Sequence, residues 1–288
     1  MTLRKVKMAD NRKIFVILDP TTMNQPSLVM GETIAIDAVA SGATDTALHI
    51  YACIAESAVR KPAGMNEKVA RKEEQSRIES WVERLAAHSR SLGLEVDTEV
   101  EIHGNWREAI TEAVGRQSCM LAIKNMTDHS RLTRRIRETS DWRLVRNAGC
   151  PLLLVKAYAR RKIKTVLVAV KYEPGTDVYE AANDRLLETG RMIADNVDAR
   201  LHVVTAYQGE HYPDRQKFAD HCGLPRNQVK AGHGKPADVI AASAREVEAD
   251  LVVIARVGQP GGEAKVGSTA EQVIDGLYCN ILVLPTNN

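Results

Sequence analysis

The segment best suited to chemistry runs Ala255-Arg-Val-Gly258-Gln-Pro-Gly261-Gly262-Glu-Ala-Lys265-Val-Gly267-Ser268-Thr269 and leads into a helical pattern, AEQVIDGL. Glycines lack a Cβ, so such a loop lets backbone N–H groups come close to a phosphate. The helix start adds unpaired N–H groups and the positive end of a dipole. Ser268 and Thr269 add hydroxyls. The apolar run Leu251–Ile254 reads as a buried strand, which places the loop at a strand's carboxyl end. A phosphorylated ligand fits this pattern. Gly262 and Gly267 have the spacing of a Walker A loop, but Ser268 stands where that motif requires Lys. A local reading stands beside the binding one: Ser268 or Thr269 caps the helix, and Glu271 closes a capping box with Ser268.

Other reactive side chains are more scattered. Lys171 follows the apolar run Val166–Val170, where its ammonium is placed to meet a phosphate. Between Lys124 and Arg137 lie His129, Arg131, Arg134, Arg135 and Arg137, with Arg143 and Arg146 beyond. This basic run reads as a solvated face, a contact to the rest of the chain, or a site for an anion or acidic lipid headgroup. His211, His221 and Cys222 come nearest to a metal set but lack ligand spacing. His103 and His233 hold matching places ahead of helices and suit a turn or a ligand contact. No Ser/His/Asp arrangement, reactive-cysteine signature or pair of carboxylates flanks the loop, so the residues outline no catalytic constellation and no metal site.

The elements that must position these groups occur twice. Ile14–Leu18 is matched by Val166–Val170, HGNWREAI from His103 by HGKPADVI from His233, Met120–Ile123 by Leu251–Ile254, and GCPLLLVK from Gly149 by YCNILVLP from Tyr278. Second strands are expected at Ala47–Ile54 and Arg200–Ala206, third strands at Leu94–Val100 and Gln228–Ala231. Strands alternating with helices predict parallel sheets covered on both faces. The expected fold is α/β, two tandem doubly wound five-stranded units of Rossmann-like type, residues 1–157 and 158–288, with ligands at the strand-order switch. The first copy is longer, chiefly through a helix over Glu67–Leu92 with Ile78, Trp81, Val82, Leu85 and Leu92 on one face. Trp81 there reads as core or as the roof of a pocket. Ala157–Lys164 is a short basic linker. The last strands, Pro151–Lys156 and Asn280–Pro285, are expected to pair with one another, so that the two units imitate a dimer. A homodimer of whole chains stays open.

Composition narrows the classes. Lys and Arg total 39 against 37 Asp and Glu, a net charge of +2, which gives no footprint of a nucleic-acid binder. No apolar run reaches the ~18 residues of a membrane span. The five cysteines have no CxxC spacing and read as reduced thiols of a cytoplasmic protein.

With these residues in view, the chain resembles the universal stress proteins over nearly its whole length, a fold of the adenine-nucleotide α-hydrolase-like kind. Nucleotide-binding members carry G-x2-G-x9-G-(S/T) after the fourth strand; here the pattern is Ala255-x2-Gly258-x8-Gly267-Ser268. They also place an adenine-contacting Asp after the first strand. The first copy has it as Asp19, and the second has Lys171. The segments Leu18-Asp19-Pro20 with Gln25-Pro26 and Leu28, and Thr139–Arg146 leading to Cys150-Pro151, are similar to tandem E-type members. The resemblance implies a non-enzymatic bacterial stress-response protein that senses or sequesters a small anion. ATP or AMP would be held by Lys171, Ala255, Gly258, Gly267, Ser268 and Thr269. It also implies survival under stress, DNA damage included. A weak ATPase or phosphotransfer protein, and a scaffold with both clefts disused, remain as alternatives.

Overall fold

The computed structural model describes residues 12–126, 140–157, 159, 162–173, 179–209, 212–256 and 268–285. By contact the chain divides into two compact units, Met1–Asn125 and Met126–Asn288.

The first unit is built from β1 (Lys13–Leu18), α1 (Pro26–Ala40), β2 (Ala47–Ala55), α2 (Glu67–Ser91), β3 (Glu95–His103), α3 (Trp106–Arg116) and β4 (Leu121–Met126), which closes it. Its strands are parallel and ordered β3-β2-β1-β4. Seven successive residues of β2, Leu48–Ile54, are buried. A strand covered on both faces is buried without alternation, and its one strongly polar member, His49, is paired with Glu99 of β3 at 2.9 Å. The order reverses between β1 and β4, so the crevice of this unit opens at their carboxyl ends.

The second unit holds α4 (Ser140–Asn147), β5 (Leu152–Lys156), β6 (Thr165–Val170), α5 (Glu180–Val197), β7 (Arg200–Tyr207), α6 (Arg215–Cys222), β8 (Val229–His233), α7 (Pro236–Glu246), β9 (Leu251–Ala255), α8 (Ser268–Gly276) and β10 (Asn280–Leu284). Its sheet runs β5-β10-β9-β6-β7-β8. All neighbours are parallel except β5 and β10, which pair antiparallel with Leu153 opposite Leu282. The expected pairing of these two strands is present. Their direction also places Cys150 and Cys279 at opposite ends of the ladder, and both are buried free thiols. The linker ends at Lys164 and Thr165, whose N–H groups donate to the Asp250 carboxylate at 2.8 and 3.1 Å.

The same close approach seats the first helix of each succession. A Cβ on Gly31 of α1 would lie 2.7 Å from Val16 Cγ2, and a Cβ on Gly190 of α5 would lie 2.3 Å from Val168 Cγ2. Each helix backbone therefore rests on the equivalent strand valine, and only glycine permits that distance.

Two expectations need correction. The register Ile14 to Leu121 matches Val166 to Leu251, so β4 aligns with β9 one residue later than the apolar pattern indicates. Leu121–Lys124 answers to Leu251–Ile254, and Asn125 answers to Ala255. An apolar run slides by one residue without penalty in sequence, whereas the hydrogen-bonded ladder admits one register. The buried seam of α2 is also narrower than predicted. Ala70, Ile78, Val82, Ala86 and Ser89 are buried, Trp81 and Leu85 are half-buried, and Leu92 is 43% exposed. A long helix over the outer strands touches them along one line and leaves its flanks in water.

Candidate functional site

In the second unit the strand order reverses between β6 and β9, so Lys171 and Ala255 stand at adjoining strand ends, each two or three residues beyond the paired Val168 and Val253. The Lys171 backbone is clipped by a buried amide of α5. Its N–H donates to Asn183 Oδ1 at 3.1 Å, and its carbonyl accepts from Asn183 Nδ2 at 2.8 Å. Next to it, the Tyr172 N–H donates to Thr205 Oγ1 of β7 at 3.2 Å, and the Tyr172 ring lies against Phe218 and His221 of α6. The loop backbone is thereby fixed at both residues.

The Lys171 ammonium donates to the Tyr179 hydroxyl at 2.6 Å, lies 3.9 Å over that ring, and pairs with Glu173 at 3.1 Å. Partial burial works against the charge, but the bonds to Tyr179 and Glu173 outweigh it and hold the amine above its ordinary pKa. A cation is thus kept charged at the switch point, and an incoming anion competes with the Glu173 carboxylate for it.

Ala255 closes β9 and lines a cavity of about 380 Å³ together with Ala182, Arg185, Leu186 and Thr189 of α5 and Leu284 of β10. The following residue, Arg256, is a cation that sequence reasoning passed over. Its guanidinium donates to the carbonyls of Val145, Arg146 and Ala148 at 3.3, 2.6 and 3.1 Å, which binds the carboxyl end of α4. Burial lowers its pKa. The fold uses Arg256 as an anchor for the carboxyl end of a helix.

Gly258 and Gly267 lie outside the described residues, as do His129, Arg131, Arg134, Arg135, Arg137 and His211. Ser268 opens α8, two residues ahead of the predicted helical pattern. The side chains of Ser268, Thr269 and Glu271 lie outside the described residues, so the capping box does too.

The first unit arranges the same strand ends differently. Asp19 follows β1, and its Oδ1 accepts from the Thr21 N–H at 2.9 Å and the Thr21 hydroxyl at 2.6 Å. Gln25 clips the Asp19 backbone as Asn183 clips Lys171, accepting from its N–H at 3.0 Å and donating to its carbonyl at 2.7 Å. Asn125, where the second unit has Ala255, accepts from the Ser27 N–H at 2.6 Å. Sequence reading passed over Asn125 because the misplaced register put Lys124 in its position.

His103 and His233, the matching pair ahead of helices, meet neighbouring side chains and backbone. His103 Nδ1 accepts from the Asn105 N–H at 3.1 Å within its turn, and the His233 ring lies 5.2 Å from that of Tyr207. Cys222 is fully buried, and burial pushes its thiol up to about 12 against a weaker pull from Arg191.

Comparison with known proteins agrees with this architecture. The model of the Universal stress protein family matches residues 11–156 and 208–285. Among curated relatives, the universal stress protein E homolog of Haemophilus influenzae is 28% identical over 214 aligned residues, 66% of this chain and 69% of its own. Universal stress protein E of Escherichia coli K12 is 26% identical over 96% of this chain and 95% of its own. A functionally unknown protein from Pseudomonas aeruginosa PAO1 superposes with a TM-score of 0.70 at 24% identity, over 96% of this chain and 92% of that one. A universal stress protein from Archaeoglobus fulgidus gives 0.66 at 13% identity, over 97% and 98%.

Proposed function

From the premise that the chain belongs to the universal stress protein family, with the stress-response role that membership implies, we propose that it is a non-enzymatic stress-response protein whose second unit takes a small anionic ligand. A nucleotide such as ATP or AMP is the foremost candidate. The observation that carries the reading is the Lys171 ammonium, held charged by Tyr179 and Glu173 at the strand-order switch. Beside it, Ala255 leaves the end of β9 open onto a cavity. The glycine loop Gly258–Gly267 and the start of α8 at Ser268 and Thr269 complete the site. In this assignment Lys171 meets a phosphate, and the polarity of the first-strand position is reversed relative to an adenine-binding Asp.

The family copies are taken as residues 1–157 and 158–288, paired through β5 and β10 as a pseudo-dimer. The setting is cytoplasmic, in keeping with five free thiols. Among the described residues no helix is long and apolar enough to cross a membrane. Survival under stress, DNA damage included, is the physiological side of the proposal.

Thermal unfolding with ATP, AMP and inorganic phosphate tests it. At a hundredfold excess over Kd a ligand adds about 2.7 kcal/mol of stability, a rise of about 5–10 °C for a domain of this size. K171A should lose most of the shift. E173Q should enlarge it, because it removes the carboxylate that competes for the ammonium. A shift by none of the three ligands refutes the binding reading and leaves the interaction scaffold. ATP turnover that ends on mutation of Ser268 replaces it with the weak ATPase.

A further inference from the structure

Strand β3 is the outer strand of the first unit's sheet. An outer strand carries one row of backbone N–H and C=O groups that no neighbouring strand answers. The backbone groups of successive residues alternate between the two edges of a strand. Arg90 of α2 donates to the Val96 carbonyl at 3.1 Å, and Arg71 of α2 donates to the Ile102 carbonyl at 2.7 Å. Val96 and Ile102 therefore turn away from β2, and by alternation so do Thr98 and Val100 between them. An arginine closes each end of the row, and among the described residues no hydrogen bond closes its middle.

Thr98 is exposed and Val100 half-buried. Beside them lies a groove of about 440 Å³, walled on its other side by Glu79, Ser80 and Glu83 of α2. The outer strand of the second unit presents a shorter row. β8 has five residues against nine in β3, and Arg215 takes the carbonyl of its first residue, Val229, at 3.1 Å. Short outer strands resist pairing with another chain.

Charge decides what this edge admits. The groove side carries the Glu79 and Glu83 carboxylates. On the other side Glu95, Asp97, Glu99 and Glu101 alternate along β3. The cations in contact with these groups are already engaged: Arg90 with Glu83, Arg116 with Glu99 and Glu101, and Lys13 with Asp97 at 3.7 Å. A second copy of the chain, joined edge to edge about a twofold axis, would set Glu79 and Glu83 against their own duplicates, which like charge disfavours.

We propose that the open edge of β3 at Thr98 and Val100 is a docking site for an extended basic segment of a partner protein, which adds to the sheet as a further strand. Its backbone pairs with Thr98 and Val100. Its lysine or arginine side chains alternate to the two sides and meet Glu79 and Glu83 in the groove and the β3 carboxylates opposite. The arginine caps at Val96 and Ile102 limit the paired stretch to the few residues between them.

Fluorescence polarisation of the full chain with a labelled Lys-Val-Lys-Lys-Thr-Lys peptide is the test. Binding should saturate. It should weaken about tenfold or more when glutamate replaces lysine, when the peptide's backbone nitrogens are methylated, and in T98P. Proline there removes an N–H that the ladder with β2 does not use, and an edge position tolerates it, so T98P should melt close to wild type. Equal binding after methylation shows attraction by charge alone and overturns the proposal, as does T98P binding like wild type or the lack of saturable binding. If T98P does not fold, hydrogen exchange on wild type decides. The Thr98 and Val100 amides should exchange fast in the free chain and slowly with peptide, while the Glu99 amide stays slow in both. Slow exchange of Thr98 and Val100 in the free chain shows the edge covered by the chain itself or by a second copy, and overturns the proposal.

Discussion

Single side chains here are decided by their partners more than by their type. Lys171 and Arg256 are both cations at the strand ends of one crevice. One stays charged in a partly open setting with a displaceable carboxylate, and the other is fixed to three carbonyls. Cys222 shows the same dependence for a thiol. Burial raises it from 9.0 to about 12, against an opposing charge on Arg191, whose guanidinium also bonds the Cys222 carbonyl. A raised native pKa means that the folded chain keeps a proton which the unfolded chain releases. The contribution is therefore whole below pH 9 and is lost between pH 9 and about 12. C222A should be less stable than wild type at neutral pH. The gap in urea midpoint should close as pH rises through that window, and a gap that stays constant would show that the thiol does not titrate with folding.

At the scale of elements, the two helix-on-strand contacts of Gly31 and Gly190 set how deeply α1 and α5 sit. An added Cβ at Gly190 would meet Val168 Cγ2 at 2.3 Å and Leu201 Cδ1 at 3.3 Å. Val168 is fully buried and β-branched, so it has no free rotamer in which to retreat. Alanine gains about 1 kcal/mol of helix propensity over glycine, but overfilling a tight core costs about 1–3 kcal/mol. G190A should therefore destabilise on balance, and V168A in the same chain should recover part of the loss. Additive effects in that double-mutant cycle would show that the two groups do not touch. Helix α2 teaches the complementary point. Its apolar residues exceed its buried ones, because a helix flank carries Leu85 and Trp81 half in water without folding any differently.

For the molecule as a whole, the strand that ends the first sequence copy joins the sheet of the second unit. Leu154 faces Ile281, and both are fully buried. L154A and I281A should each cost about 2–5 kcal/mol. Urea unfolding of the double mutant should show a coupling of about 0.5 kcal/mol or more. Simple addition of the two losses would contradict the antiparallel register.

The sequence by itself determined the succession of strands and helices, the crevice ends and the family. Those follow from apolar periodicity and from glycines and polar residues at fixed offsets, all of which are local in the chain. Asp19, Lys171 and Ala255 were legible as crevice residues for the same reason. Tertiary structure alone decided which of their neighbours were available. The one-residue register of β4, the attachment of Arg256 to α4 and the bond from the Ser27 N–H to Asn125 each depend on hydrogen bonds between groups about a hundred residues apart. An apolar pattern tolerates a shift by one residue, and a polar side chain shows its type but not its partner. A ladder of hydrogen bonds fixes both.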